Sequence, residues 1–232
     1  MKPLISIIIP TFNRANLLKR ALSSVTNQTY QNIEIIIIDN YSSDNTNDVV
    51  NSFHDKRIIF KKLSNNGNIA RSRNYGIKLA NGEWVAFLDS DDWWKKNKLD
   101  YCLSMAKHNI DFIYHKLQIV KKNKKNFFFK KTLSTKLIKK PIRKNLLIKG
   151  NVINNSSVMV KKYLLDKVNG INENKNIITA EDYNTWLKIS CLTDNFLFIN
   201  KTLGYYYAHE LAFERDMYLP TKYATEEFVK YL

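Results

Sequence analysis

The sequence predicts an α/β fold with a mostly parallel central sheet. Two observations carry this. Short apolar runs rich in β-branched residues recur at positions 4–9, 33–39 and 83–88, as strands buried on both faces do. Between them lie segments of about twelve residues with apolar positions at helical spacing. Strand–helix–strand alternation of that length gives right-handed crossover units and a parallel sheet.

The elements follow in order. Residues 4–9 form the first strand, ended by Pro10. Asn13 is placed to cap a helix over 14–27, where Leu17, Leu18, Ala21, Leu22 and Val25 recur on one side. The second strand is 33–39, and Ser43 or Asp44 starts a helix reaching Ser52. A third strand at 57–61 precedes a helix over 68–79, stopped by Asn81-Gly82. The fourth strand ends in Asp89-Ser90-Asp91-Asp92, with a helix expected from Trp93. The second half is less regular. Strands are expected at 110–120, 127–130, 156–160, 196–199 and 203–207. Helices are expected at 140–149, 162–168, 181–192 and 210–232, the last broken by Pro220. No Gly/Ser linker divides the chain. It reads as one compact unit of two halves, 1–110 and 111–232, meeting near residue 110.

Composition narrows the classes. The 232 residues and 44% apolar content exclude a disordered chain. Cys102 and Cys191 cannot make a disulfide framework, which points to a reducing compartment. The net charge of +16 asks for a polyanionic neighbour. It is local: residues 112–165 hold fifteen Lys and Arg and no Asp or Glu, and the remainder is nearly neutral. The run at 4–9 is too short for a signal peptide, and no stretch approaches the roughly 18 apolar residues of a membrane span. A cytoplasmic, soluble or peripheral protein is expected.

In parallel sheets the ligand sits beyond the carboxyl ends of the strands. Residues 10–13, 39–44 and 89–92 each follow such an end and should converge. No glycine-rich phosphate loop joins the first strand to its helix, so another group must neutralise a nucleotide's phosphates. Asp89, Asp91 and Asp92 could do so through a hard divalent cation bridging carboxylate to diphosphate. An Asp-rich turn before a helix is the alternative. Glu181-Asp182 offers a general base, or merely a helix start. His209 offers a metal ligand, or a structural imidazole. Arg71 and Arg73 offer contacts to a nucleotide, or a solvated helix face.

These residues together resemble the inverting nucleotide-sugar glycosyltransferases of family 2, with the GT-A fold. Six blocks match in order along nearly the whole chain. They are Ile7-Ile-Ile-Pro10-Thr-Phe-Asn-Arg14, then Asn27-Gln28-Thr29-Tyr30 with Glu34 to Asn40 and Ser43-Asp44, and Asn66 to Gly76. Gly82 to Asp92 contains the Asp-x-Asp motif, Ser156 to Met159 resembles the acceptor-side strand, and Ala180-Glu181-Asp182-Tyr183 with Trp186 resembles the catalytic Glu-Asp motif. The last block departs from the pattern: Tyr206-Tyr207-Ala208-His209 lacks an Arg common in the family, and Asn40 stands where a second Asp is commoner.

The resemblance implies a GT-A fold, with a Rossmann-like nucleotide-sugar half at 1–110 and an acceptor-binding half at 111–232. Pro10, Thr11, Asn13, Asp39 and Arg71 would lie round the uracil and ribose of a UDP-sugar. Asp89 would reach the ribose or sugar. Asp91 would bind Mn²⁺ or Mg²⁺ between the phosphates, with Asp92 beside it and His209 as a third contact. Asp182 would be the base, with Glu181 nearby. From an α-linked UDP-sugar, one displacement gives a β-glycoside. The expected setting is surface-glycan assembly (lipopolysaccharide, O-antigen or capsule) on a lipid-diphosphate-linked acceptor. The Lys-rich segment 116–149 is expected to face an anionic membrane at its cytoplasmic side. The competing readings are a basic nucleic-acid-binding protein and a non-catalytic sugar-nucleotide binder. The acidic motifs would repel nucleic-acid phosphates, so nucleic acid is not an expected partner.

Overall fold

The computed structural model describes residues 2–106, 109–121, 132–133, 135–209 and 217–229. Among these, β1 (Ile5–Thr11), β2 (Ile33–Asp39), β3 (Ile58–Lys62) and β4 (Trp84–Phe87) form the parallel part of one sheet. Three helices connect them: α1 (Ala15–Thr26), α2 (Thr46–Asn51) and α3 (Ile69–Leu79). The sheet continues through β5 (Trp93–Trp94), β6 (Phe112–Lys121), β7 (Met159–Lys161) and β8 (Phe196–Ala208). The spatial order is β3-β2-β1-β4-β7-β6-β8-β5. β7 runs antiparallel to β4 and β6, β6 and β8 are parallel, and β5 lies antiparallel on the edge. The expected α/β class with a mostly parallel sheet is the one found.

Alternation along the strands builds two cores, one on each face of the sheet. Ile5, Ile7 and Ile9 pack with Leu18, Leu22 and Val25 of α1 and with Leu99 and Cys102 of α4 (Lys98–Met105). Ile8, Ile36 and Ile38 face the other way, toward Ala70 and Ile77 of α3 and Trp186 of α7 (Glu181–Ser190). Gly76 lets α3 sit close: a Cβ there would lie 2.6 Å from Ile8 Cγ2. The remaining helices are α5 (Ile142–Lys149), α6 (Lys162–Lys167) and α8 (Tyr218–Val229).

The topology positions the site. β2 lies on one side of β1 and β4 on the other, so the chain reverses its winding there and a crevice opens at the strands' carboxyl ends. The Leu88 N–H donates to Ile8 O, so the end of the β4 segment stays beside β1 up to the acidic turn.

Several elements differ from expectation. α1 is not capped by Asn13, which sits at φ +48°; Asp44 Oδ2 accepts from the Ala15 N–H instead. No helix starts at Trp93. Trp93 and Trp94 pair with β8, and α4 begins at Lys98, because two large aromatics bury better in the sheet than on an exposed first turn. The strand expected at 156–160 starts as a 3₁₀ turn, Asn155–Ser157, before β7. The two strands at 196–199 and 203–207 are one, β8, with its register shifted opposite Lys116. Pro220 does not break α8; it sits in the first turn, where its missing N–H costs nothing. The strand expected at 127–130 lies outside the described residues, as do residues 122–131 and 134 of the Lys-rich segment and 210–216 and 230–232 of the last expected helix.

Candidate active site

A cavity of about 970 Å³ opens at the crevice. Of the residues singled out in the sequence, Pro10, Arg73, Asp89, Asp91, Glu181, Asp182 and His209 line it. Residues from β1, the turn after β4, the start of α7 and the end of β8 thus meet in one space. They come from positions as far apart as 10 and 209.

Thr11, Asn13, Asp39, Arg71 and Asp92 are not among the residues that line this cavity; Thr11 and Asn13 adjoin Pro10 and Arg14, which do. Thr11 and Asp39 are paired across β1 and β2. The buried Asp39 carboxylate accepts from the Ser42 N–H, and Asn13 Oδ1 accepts from the Ser43 N–H at 2.8 Å. Arg71 lies on the outer face of α3, 3.8 Å from Glu173 in an exposed pair.

The acidic turn is held from several sides. The Asp89 N–H donates to Ser156 Oγ at 3.1 Å, and the Asp92 N–H to Asp89 O. Arg20 donates to Asp91 O at 2.7 Å, with its guanidinium 3.7 Å from the Trp93 ring centre. Asp91 Oδ2 accepts from Arg14 Nη1 at 2.6 Å and meets His209 Nε2 at 2.9 Å. Asp92 is buried beneath: Oδ1 accepts from the Tyr207 N–H, and Oδ2 has no partner among the described residues. Burial, then the charges of Asp91 and Asp89, push the Asp92 carboxyl well above the usual carboxylate range.

Among the described residues no three His, Cys, Asp or Glu side chains form a ready-made metal cage. The donor set still suits a divalent cation. Asp91 and His209 share one point at the cavity wall, and Mg²⁺ or Mn²⁺ is commonly held by one or two carboxylates plus substrate phosphates. Arg14 on Asp91 occupies that side with a positive charge in the free protein.

In the same cavity wall, Arg73 donates from Nη1 to Glu181 Oε1 at 2.7 Å and from Nη2 to Asp89 Oδ1 at 2.8 Å. Asn155 Nδ2 also donates to Asp89 Oδ1, at 3.1 Å. Asp182 Oδ1 accepts from its neighbour's backbone N–H, that of Tyr183, at 2.7 Å and from Asn151 Nδ2 at 3.2 Å. Burial, then the charge of Glu181, raises the Asp182 carboxyl to about 7. A carboxylate poised near neutrality can accept a proton from an attacking hydroxyl.

The sequence did not single out Arg14, Arg20, Asn151 or Asn155. Arg73 is not the solvated helix face the sequence left open for it: it shares the buried stripe of α3 with Ala70 and Ile77, and a charge on such a stripe needs buried partners.

Comparison with known proteins decides the family. The family model described as glycosyl transferase family 2 matches residues 6–168.

The chain belongs to glycosyl transferase family 2.

As a member it is a glycosyltransferase with the GT-A fold that the sequence resemblance implied. It is similar to a relative from Escherichia coli named UDP-Glc:alpha-D-GlcNAc-diphosphoundecaprenol beta-1,3-glucosyltransferase WfgD, 37% identical over 195 residues, covering 83% of this chain and 71% of that protein. It is also similar to the putative teichuronic acid biosynthesis glycosyltransferase TuaG of Bacillus subtilis, 31% identical over 193 residues, covering 81% and 72%. The crystal structure of S. aureus TarS 1–349 with UDP shares the fold, with TM-score 0.73 and 22% identity over 90% of this chain. This family 2 chain spans 62% of that TarS chain.

Proposed function

We propose that this chain moves a hexose or N-acetylhexosamine from a UDP-sugar to an acceptor hydroxyl on a surface glycan, with inversion to a β-linkage. The observation carrying the reading is that Asp89 and Asp91 of the acidic turn and the Glu181-Asp182 pair line one cavity. Relatives whose names specify UDP-Glc and a diphosphoundecaprenol acceptor support the donor and acceptor classes.

In this reading Pro10, Thr11, Asn13, Asp39 and Arg71 surround the nucleoside, and Asp89 takes the ribose or the transferred sugar. Asp182 removes the acceptor's proton as its oxygen bonds to the anomeric carbon. The bond from that carbon to the diphosphate breaks, and UDP leaves with the electron pair. Asp91 and His209 would hold Mg²⁺ or Mn²⁺, with Asp92 supporting the turn from beneath. Bound there, the cation would supply Lewis-acid stabilisation of the leaving diphosphate's charge. Arg14 orients Asp91 before the donor arrives.

Residues 1–110 serve the donor and 111–232 the acceptor. Among the described residues no helix is long and apolar enough to cross a membrane. The Lys-rich segment 116–149 gives peripheral contact with an anionic membrane from the cytoplasmic side, each lysine near the surface contributing about 1 kcal/mol. Sedimentation with anionic vesicles at low salt, reversed at high salt, is expected; no binding at low salt refutes this part.

The test of the reaction is UDP release from a panel of UDP-sugars, with GlcNAc-diphosphate-lipid as acceptor and Mn²⁺ or Mg²⁺ present. UDP-glucose is expected to be used, and the product to be cleaved by a β-glucosidase. Transfer from no UDP-sugar in the panel overturns the donor class.

A further inference from the structure

Three elements meet at one side chain. Arg73 sits on the inner stripe of α3 with its side chain only 4% exposed. Its partners come from 16 and 108 residues away: Asp89 ends the β4 segment and Glu181 opens α7. All three residues line the cavity. A guanidinium can bond two carboxylates in fixed directions, which an ammonium cannot. Replacing buried ion pairs by apolar residues is often neutral or stabilising, so stability alone is a weak reason for this arrangement.

The neighbouring carboxylate is treated differently. Asp182 receives only neutral donors, the Tyr183 N–H and the Asn151 amide. No Lys, Arg or His pairs with it among the described residues. Of two adjacent carboxylates at the start of α7, one holds the buried cation and the other does not.

We propose that Arg73 is the positioning residue of the transfer reaction. Its shared guanidinium locks the donor-side Asp89 to Glu181, and by engaging Glu181 it leaves Asp182 as the carboxylate that takes the acceptor's proton. This rests on reading Asp182 as the base.

The charges around Asp182 support the division of labour. Glu181 on its own helix and Asp89 after β4 raise its proton affinity, while Arg73 of α3 lowers it. Arg73 therefore restrains a rise driven by burial and keeps Asp182 ionisable at neutral pH. Loss of the Arg73 charge should raise the midpoint of the pH–rate profile, and loss of the Glu181 charge should lower it.

The experiment is the pH profile of kcat/KM for wild type, Arg73→Gln and Glu181→Gln, with folding checked by thermal melting. Midpoint shifts of about half a unit or more, up for Arg73→Gln and down for Glu181→Gln, are expected. Arg73→Gln should also lose about 100-fold in kcat, since the reacting groups lose their alignment. A merely structural ion pair would lower Tm without moving the midpoint. Glu181→Gln keeps an oxygen for Arg73 to bond, so it decides the matter even where Arg73→Gln does not fold. An unmoved midpoint in either folded variant overturns the proposal. Full activity in Asp182→Asn would remove the base itself, a failure distinguishable from that of Arg73.

Discussion

The Asn151 side-chain amide donates to Asp182 Oδ1 at 3.2 Å. This bond reaches from the loop after α5 to the first turn of α7 and fixes one oxygen of a carboxylate that lines the cavity. The Asp182 carboxyl is raised to about 7, and a base works only when unprotonated. The kcat/KM is therefore expected to rise with pH through about 7 and level off above it. Asn151→Ala should lower kcat about tenfold, because a misaligned base loses part of its contribution, with little change in melting temperature. Initial rates of UDP release from pH 5.5 to 9 check both.

The same residue should cost stability. A carboxyl whose folded pKa lies above its unfolded value binds more protons folded than unfolded between the two. Stability therefore falls as pH rises through that window, from about 4 to about 7. Asp182→Asn should remove that penalty while removing activity. Its melting temperature is expected to exceed wild type at pH 8 and to match it near pH 4.

Metal removal tests the acidic turn. Chelation should abolish transfer, and Mn²⁺ or Mg²⁺ should restore it. Asp91→Ala should lose at least about 100-fold in kcat even at saturating metal. Since Arg14 contacts the same Asp91 oxygen in the free protein, the apparent metal affinity of Arg14→Ala should rise. Titration of activity against Mn²⁺ measures this.

A buried lysine opens α4. Lys98 is fully buried, its ammonium 3.8 Å from the Trp94 ring centre and without a hydrogen-bond partner among the described residues. Burial pulls its pKa down to about 8. The cost is present in full below that pH and fades as pH approaches the unfolded value near 10.5. Lys98→Met is expected to raise Tm by roughly 3–8 °C at pH 7, with the gain shrinking by pH 10. Thermal melts at the two pH values decide it.

The parallel half of the fold was legible because each strand is a short apolar run and each helix keeps its period. The second half was not, for identifiable reasons. Trp93 and Trp94 follow three acids and look like a helix start, yet their area is buried by pairing with β8 far along the chain. The positions of Asp89, Asp91 and Asp182 at element ends could be read locally. What holds them could not: Asn155, Asn151 and Arg14 reach their partners across 66, 31 and 77 residues, and no local pattern encodes such contacts. Arg73 could be read as a nucleotide contact or a solvated face; its burial against two carboxylates depends on how α3 and α7 pack on the same sheet face.

The central claim is that Asp182 takes the acceptor's proton. Its most direct test is the steady-state rate of UDP release by Asp182→Asn at pH 8, with UDP-glucose, metal and a lipid-diphosphate sugar acceptor. A kcat at least about 10³-fold below wild type in a protein that melts no earlier is the expected result, and a rate within about threefold of wild type would contradict it.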